Sequence, residues 1–389
     1  MERARRPETT VAPKPTTRYQ PKKIHIVSQD YTLYVTVVLL VLIGVVMVFS
    51  ASYYAAVTFL NVGRFHFLRS QFFAAVLGFV AMVSLSNINY RMWHKFIPLA
   101  YVGGLFLLVL VLVSNMGREA GGAQRWLTLG GFSFQPSEPA KVATILMLAK
   151  VITGKKHILN TLRGHVVVGM YLAVPVGLIL VENGSTAIVL AGIGAAMIFV
   201  ASPFTMIFVM SAVVMGTGGL VAIFTGEGFR MARLYAWRDP WSDPTGVGFQ
   251  TVQSLYAIGT GGIFGVGLGN SRQKLGFIPE AHNDIIFSVI VEELGILGGG
   301  IILFLFGVFL WRAIKIAISA DDMLGALIAT GIATMVGAQA LINVGVVTNT
   351  IPNTGVPLPF ISFGGTSLVT MMISVGILLS ISRFKKDLR

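Results

Sequence analysis

Apolar runs dominate this chain from residue 31 onward, and short polar segments punctuate them at intervals. A soluble globule keeps such runs short and breaks them with polar faces. These continue for about 17 to 25 residues, the length a helix needs to cross a ~30 Å hydrocarbon layer. The pattern predicts ten spans, at about 31–52, 66–86, 97–114, 136–153, 165–181, 186–202, 204–224, 284–310, 323–347 and 364–382. The expected fold class is an all-α polytopic membrane protein with about ten transmembrane helices. The junctions near Glu182 and Pro203 are tight, and fusion of the helices on either side would change both the count and the downstream orientation.

Orientation follows from lysine and arginine, which in short loops stay in the cytoplasm. They gather in the N-terminal tail (Arg3, Arg5, Arg6, Lys14, Arg18, Lys22, Lys23), in alternate loops (Arg91 and Lys95; Lys150, Lys155, Lys156 and Arg163; Arg312 and Lys315) and at the C-terminal end (Arg383, Lys385, Lys386, Arg389). Both termini are therefore expected in the cytoplasm, with 53–65, 115–135, 225–283 and 348–363 on the outer face. The third of these is a large extracytoplasmic loop between helices seven and eight. With 54% hydrophobic and 12% charged residues, the net charge of +13 reads as positive-inside bias plus attraction to anionic membrane lipid, not as a nucleic-acid footprint.

Residues 1–25 are rich in Pro, Thr and Arg, and read as a disordered basic cytoplasmic tail ahead of a single transmembrane domain at 26–389. No short apolar stretch with a small-residue cleavage site precedes the first span, so no cleavable signal is expected. The absence of cysteine excludes disulfides, thiolate metal sites and a cysteine nucleophile. The histidines have no helical i, i+4 partner for zinc. No internal repeat is visible, which disfavours transporters built from duplicated halves.

Four outward segments carry the unusual polarity. At the start of the fourth span, Gln135-Pro136-Ser137-Glu138 leads to Lys141. Glu138 and Lys141 lie three apart on one helix face and can pair, either merely to orient the span or to leave Lys141, with Arg125 beside Trp126, to hold a pyrophosphate or sugar carboxylate. The loop 225–283 is too long for a simple connector. In it, Trp237 and Trp241 are placed to anchor at the headgroups, while Asp239-Pro240 and Asp243-Pro244 start turns. Its glycine-dense run from Gly259 to Gly269 has no strand before it and reads as a re-entrant or interfacial segment, not a nucleotide loop.

The third segment brings Arg272, Lys274, Glu280 and His282 up to Asp284, where a charged loop runs into a long apolar helix. A carboxylate at the edge of hydrocarbon is costly to ionise and marks a functional site, although Asp is also a favoured helix N-cap. Glu292 and Glu293, about two turns later, must be paired or protonated, and a structural hydrogen-bonding role is expected for them. The fourth segment, Asn349 to Ser367, holds three prolines and a glycine pair. It cannot be a continuous helix, and irregular backbone near membrane depth is tolerated only where it is buried in protein or lines a polar cavity.

The stretches Gly122–Trp126, Gln135–Lys141, Arg238–Pro244, Gln253–Asp284, Glu292–Gly295 and Pro352–Leu368 together closely resemble the SEDS family, the shape, elongation, division and sporulation peptidoglycan polymerases. The Trp237–Pro244 and Gln253–Ala257 stretches are more similar to the division branch than to the elongation branch, with the sporulation branch also open. The chain departs from the family pattern in two places. Asn283-Asp284-Ile285 stands where Thr-Asp-Phe is common, and the Glu182–Thr186 turn is one residue short, so Glu182 and Asn183 receive no role.

The resemblance implies glycosyl transfer on lipid II at the outer face of the cytoplasmic (inner) membrane, with Asp284 as the catalytic base. The pyrophosphate leaving group needs cations, for which the candidates, in order, are Lys141, Arg125, Lys274, Arg272 and a bound divalent ion (Mg or Mn). No cofactor is otherwise expected. Substrate-binding candidates are Lys141, Glu138, Arg125, Trp126, Arg272, Lys274, His282, Gln253, Ser254 and Ser362, with no metal-ligating residue assigned. The resemblance also implies a class B penicillin-binding protein as transpeptidase partner, alongside other division proteins. A lipid II flippase and a non-catalytic scaffold are the competing classes. A flippase would line a path through the membrane with charge, whereas here the polar clusters collect at one face.

Overall fold

The computed structural model describes residues 24–26, 28–113, 117–120, 123–129, 132–155, 158–203, 228–278 and 280–386. Its helices are α1 (Tyr31–Thr58), α2 (His66–Ser86), α3 (Ile97–Val113), α4 (Ser137–Gly154), α5 (Leu162–Glu182), α6 (Gly184–Ala201), α7 (Gly228–Arg238), α8 (Phe249–Gly261), α9 (Ile286–Ile318), α10 (Met323–Val347) and α11 (Gly365–Arg383). Nine of the ten predicted spans are helices; the one at 204–224, like the tail at 1–23, lies outside the described residues. Among the described residues, seven helices are long and apolar enough to cross a membrane: α1, α2, α5, α6, α9, α10 and α11. Helix α3 is shorter, and α4 is interrupted by Glu138, Lys141 and Lys150. The protein is a multi-pass membrane protein.

Polar residues at the span boundaries set where helices begin. The side chains of Asp30, Thr161 and Asp322 accept from the main-chain N–H of Leu33, Gly164 and Gly325 at the starts of α1, α5 and α10. At the tight junction, Asn183 ends α5 by donating its N–H to Ile179 O (2.7 Å) and caps α6 by accepting from Thr186 N (3.1 Å). One residue therefore separates two helices that do not fuse, and that is its structural role.

Helices α10 and α11 are innermost, with 67% and 72% of their most apolar windows buried, against 22% for α2 and α5. The outer helices turn large apolar side chains such as Phe72, Leu99 and Met170 outward, as lipid-facing helices must. At one end of the bundle, ion pairs tie the segments predicted to be cytoplasmic. Arg312 clamps Asp30 through Nε (2.8 Å) and a second nitrogen (2.5 Å), and Arg91 Nε meets Asp322 at 2.6 Å, which also accepts from the Tyr90 hydroxyl. Strand β1 (Ile24–Ile26) pairs antiparallel with β5 (Phe384–Lys386), linking the two ends of the described chain.

The loops expected between spans have structure of their own. Segment 115–135 carries a three-stranded antiparallel sheet, β2 (Gly117–Ala120), β3 (Ala123–Leu129) and β4 (Phe132–Phe134). The long segment 225–283 contains α7 and α8, so it is a folded cap instead of an open loop. Trp237 does not simply anchor in headgroups: its indole N–H donates to Asn349 O (3.1 Å), and Asn349 Nδ2 returns a bond to Trp237 O (3.2 Å), joining the cap to the segment after α10. Asp239 and Asp243 start turns by accepting from Trp241 N and from Gly246 and Val247 N.

Helix α9 extends to Ile318, eight residues beyond the expected end, and it is broken near its start. Gly295 has φ 73°, which removes the local helical ladder. The glycine-rich run repairs the break: Val266 N and Gly267 N donate to the carbonyls of Glu292 and Glu293 (2.9 and 3.0 Å), while Ile296 N and Leu297 N donate to Gly262 O and Ile263 O (2.9 and 3.2 Å). Only glycine fits such a contact. A Cβ at Gly265, itself at φ 81°, would lie 2.2 Å from Glu293 O. Gly265→Ala is therefore expected to cost well over ~1 kcal/mol and lower the thermal unfolding midpoint in detergent. Gly259→Ala, in α8 with nothing within 4 Å of the new methyl, is expected to leave the midpoint unchanged or raise it.

Candidate active site

Asp284 lies at the opposite end of the bundle from the Asp30 and Asp322 ion pairs, just before α9. The residue that caps α9 is Ile285, which has no side-chain oxygen, so Asp284 is not the helix N-cap. Its side chain is partly exposed while Ala281, His282 and Ile285 around it are buried. Its main chain is fixed by three successive carbonyls. His282 O accepts from Phe363 N (2.9 Å), Asn283 O from the Ser362 hydroxyl (2.6 Å), and Asp284 O from Asn343 Nδ2 (2.6 Å).

Those donors belong to the proline-rich segment after α10 and to α10 itself. The segment is irregular, as its prolines require, and it dips deep: the buried Phe360 ring lies tilted against Phe309 of α9 with centroids 5.7 Å apart. Its polar backbone is satisfied internally. Gln71 of α2, fully buried, donates to Ser362 O (3.2 Å) and accepts from Gly364 N (3.3 Å), and Ser362 Oγ accepts from Leu358 N (2.8 Å).

The approach to Asp284 from residue 271 onward is strapped to α9 by the two adjacent glutamates. Glu292 accepts from the Ser271 hydroxyl (2.5 Å) and Arg272 N (2.9 Å). Glu293 pairs with Lys274 Nζ (2.6 Å), and the Ser50 hydroxyl of α1 donates to the same carboxylate. Lys274, an expected cation for pyrophosphate, is thus placed against Glu293: its side chain is 4% exposed and its charge is balanced from within, which straps the loop to α9.

Lys141 is likewise internal. It pairs with Glu138 at 2.9 Å, both side chains are at most 2% exposed, and Ser367 at the start of α11 donates to the second Glu138 oxygen. Arg272, by contrast, presents an exposed side chain. Trp126 is partly exposed on β3; the Arg125 side chain lies outside the described residues. Gln253 is partly exposed on α8, whereas the Ser254 hydroxyl is buried and donates to Val347 O (3.0 Å). Ser362 is also buried, its hydroxyl holding Asn283 O.

His282 sits between Phe67 (4.4 Å) and Phe363 (5.4 Å), 6% exposed. Burial pushes its pKa down to about 4, so the ring is neutral at pH 7. Gln71, Asn343 and Ser50 were missed by the sequence reading, although the first two are amides inside apolar spans, a signal of internal polar contacts. Among the described residues no group of three or more His, Asp or Glu side chains could hold a metal ion.

Two outcomes follow from these contacts. Glu293→Ala strands the Lys274 ammonium in a buried site and is expected to cost about 3–5 kcal/mol, read as loss of folded yield; pairing Glu293→Leu with Lys274→Met recovers it. For His282, the folded pKa of about 4 lies below the unfolded value of 6.5. The unfolded chain thus binds the proton more tightly, and the stability is complete above pH ~6.5 and falls away towards pH ~4, by about 3 kcal/mol in all. Thermal unfolding against pH is expected to show a shallower acid decline in His282→Phe than in the native chain.

A family model described as cell cycle protein, covering FtsW, RodA and SpoVE, matches residues 31–387. The chain is 42% identical over 362 residues to stage V sporulation protein E of Bacillus subtilis, spanning 92% of this chain and 98% of that protein. It is 39% identical over 358 residues to a probable peptidoglycan glycosyltransferase FtsW of Geobacter sp. (strain M18), spanning 91% and 96%. Among solved structures, a chain from a peptidoglycan synthase complex that coordinates polymerization and crosslinking aligns with TM-score 0.75 at 28% identity, covering 92% of this chain and 98% of that one. The rod-shape-determining protein RodA of Thermus thermophilus aligns with TM-score 0.66 at 26% identity, covering 92% and 97%. With sequence and architecture agreeing over nearly its whole length, this chain belongs to the FtsW/RodA/SpoVE family of cell cycle proteins.

Proposed function

We propose that this protein is an inverting glycosyltransferase that polymerises lipid II into peptidoglycan strands at the outer face of the cytoplasmic membrane, serving septal synthesis in cell division. The observation that carries the reading is the setting of Asp284, a partly exposed carboxylate whose main chain is immobilised at three consecutive carbonyls. In the reaction, the acceptor 4-hydroxyl attacks the anomeric carbon of the donor and displaces lipid pyrophosphate, inverting the α-linkage to β. Asp284 takes the hydroxyl proton as the bond forms.

The departing pyrophosphate needs positive charge and no general acid. Arg272, exposed beside the strapped loop, supplies it, with Arg125 on β3 as a second donor. The Glu138–Lys141 pair shapes the site from the side. Beside it, an apolar groove of about 470 Å³ is lined by Gly103 and Gly104 of α3, Pro139, Val142 and Leu146 of α4 and Ile373 of α11. It suits the polyprenyl tail of the substrate.

The catalytic unit is the transmembrane domain at 26–389, and its partner is a class B penicillin-binding protein, in keeping with the solved complex it resembles. A sporulation role is a second reading, favoured by the 42% identity to stage V sporulation protein E. Depletion that blocks septation supports division, and a defect confined to spore formation supports the other.

The deciding experiment compares native protein and Asp284→Asn, each purified with its cognate transpeptidase, on labelled lipid II. Long strands from the native chain and none from an equally folded variant are expected. Equal polymerisation by the variant overturns Asp284 as base. If both bind lipid II and neither makes strands, the flippase or scaffold role replaces the enzyme. Arg272→Ala is expected to lower kcat/KM about tenfold to a hundredfold, the ~1.5–3 kcal/mol of a charge-assisted hydrogen bond.

A further inference from the structure

Asn343 is a primary amide inside the apolar helix α10, 1% exposed. Both of its hydrogen bonds leave that helix. Nδ2 donates one hydrogen to Asp284 O (2.6 Å) and the other to Val356 O (2.9 Å), while Oδ1 is buried without a partner. The amide can take only this orientation, because a flip would set its oxygen against two carbonyl oxygens. A polar group buried at the expense of an unpaired acceptor destabilises its own neighbourhood. What it provides is a fixed distance between the Asp284 main chain and the proline-rich wall.

We propose that Asn343 is a positioning residue for glycosyl transfer, setting the height at which the Asp284 carboxylate meets the acceptor hydroxyl by bridging Asp284 O to Val356 O. The inference rests on Asp284 being the base. Asn343 touches no substrate. Its effect belongs in the chemical step, since displacement of a reacting group by about 1 Å costs on the order of a hundredfold.

The test uses the complex with the cognate transpeptidase and labelled lipid II. It measures kcat, KM, the pH dependence of kcat/KM and the thermal unfolding midpoint for the native chain, Asn343→Leu and Asn343→Gln. Asn343→Leu keeps the volume and removes both donors. Its kcat is expected to fall tenfold or more with KM within about twofold and an acid limb displaced from the native one. Asn343→Gln, which keeps the donors, recovers part of kcat. If Asn343→Leu does not accumulate, Asn343→Ser, small and able to donate one bond, is expected to show an intermediate kcat.

Native kcat in a folded donorless or single-donor variant overturns the proposal. So does a loss of kcat matched by a rise in KM and a lowered unfolding midpoint, which marks a merely structural role. The two levels of the argument separate cleanly. Activity in Asp284→Asn removes the base assignment itself, whereas an inactive Asp284→Asn beside a fully active Asn343→Leu removes only the positioning role.

Discussion

Every main-chain hydrogen bond broken at membrane depth has to be remade within the protein, because hydrocarbon offers no donors or acceptors. The architecture around Asp284 is built from two such repairs. At Gly295 the helix ladder fails, and the glycine hairpin after α8 lays its own backbone against the exposed carbonyls and N–H groups. At the entry to α11 the chain cannot be helical at all, and Gln71, Ser362 and Asn343 supply the missing bonds. The first repair fixes the start of α9, the second fixes the wall opposite, and Asp284 hangs between them.

Charge follows the same economy. Two of the lysines that sequence places in the site, Lys141 and Lys274, are buried against Glu138 and Glu293. Buried pairs of this kind add little net stability, since desolvation offsets attraction, but losing one partner leaves an uncompensated buried charge. The Lys274 strap closes the loop onto the kinked turn of α9 and links it to α1 through Ser50. Arg272, two residues before the buried Lys274, is exposed.

The segment that leads to Asp284 is pinned on both sides. The strap holds Ser271, Arg272 and Lys274 to α9, and the three carbonyls of His282, Asn283 and Asp284 are each held by a donor from the proline-rich segment or α10. His282, neutral and wedged between Phe67 and Phe363, fills the space beneath without adding charge beside the carboxylate. Ion pairs at the far end of the same helices, Asp30 with Arg312 and Asp322 with Arg91, tie the bundle there.

The spans were legible because the length of an apolar run is dictated by bilayer thickness, and the alternation of basic loops grouped the segments that the fold gathers at one end. The Glu138–Lys141 pair was also legible, since i, i+3 residues on a helix must be neighbours. The folding of 225–283 into helices and the strands at 117–134 were not, because interfacial segments carry no long apolar period. Nor could sequence tell which cations face a ligand: Lys274 and Arg272 stand two residues apart, yet one is buried against Glu293 and the other is exposed. That difference is made by Glu293, 19 residues further on, and the hold on Asp284 by Asn343, 59 residues further on. The sequence by itself determined that the chain is a multi-pass helical membrane protein and where the described apolar helices run. Only the tertiary structure decided which polar groups satisfy one another and which are left to meet a substrate, because pairing depends on distances between segments that no local pattern encodes.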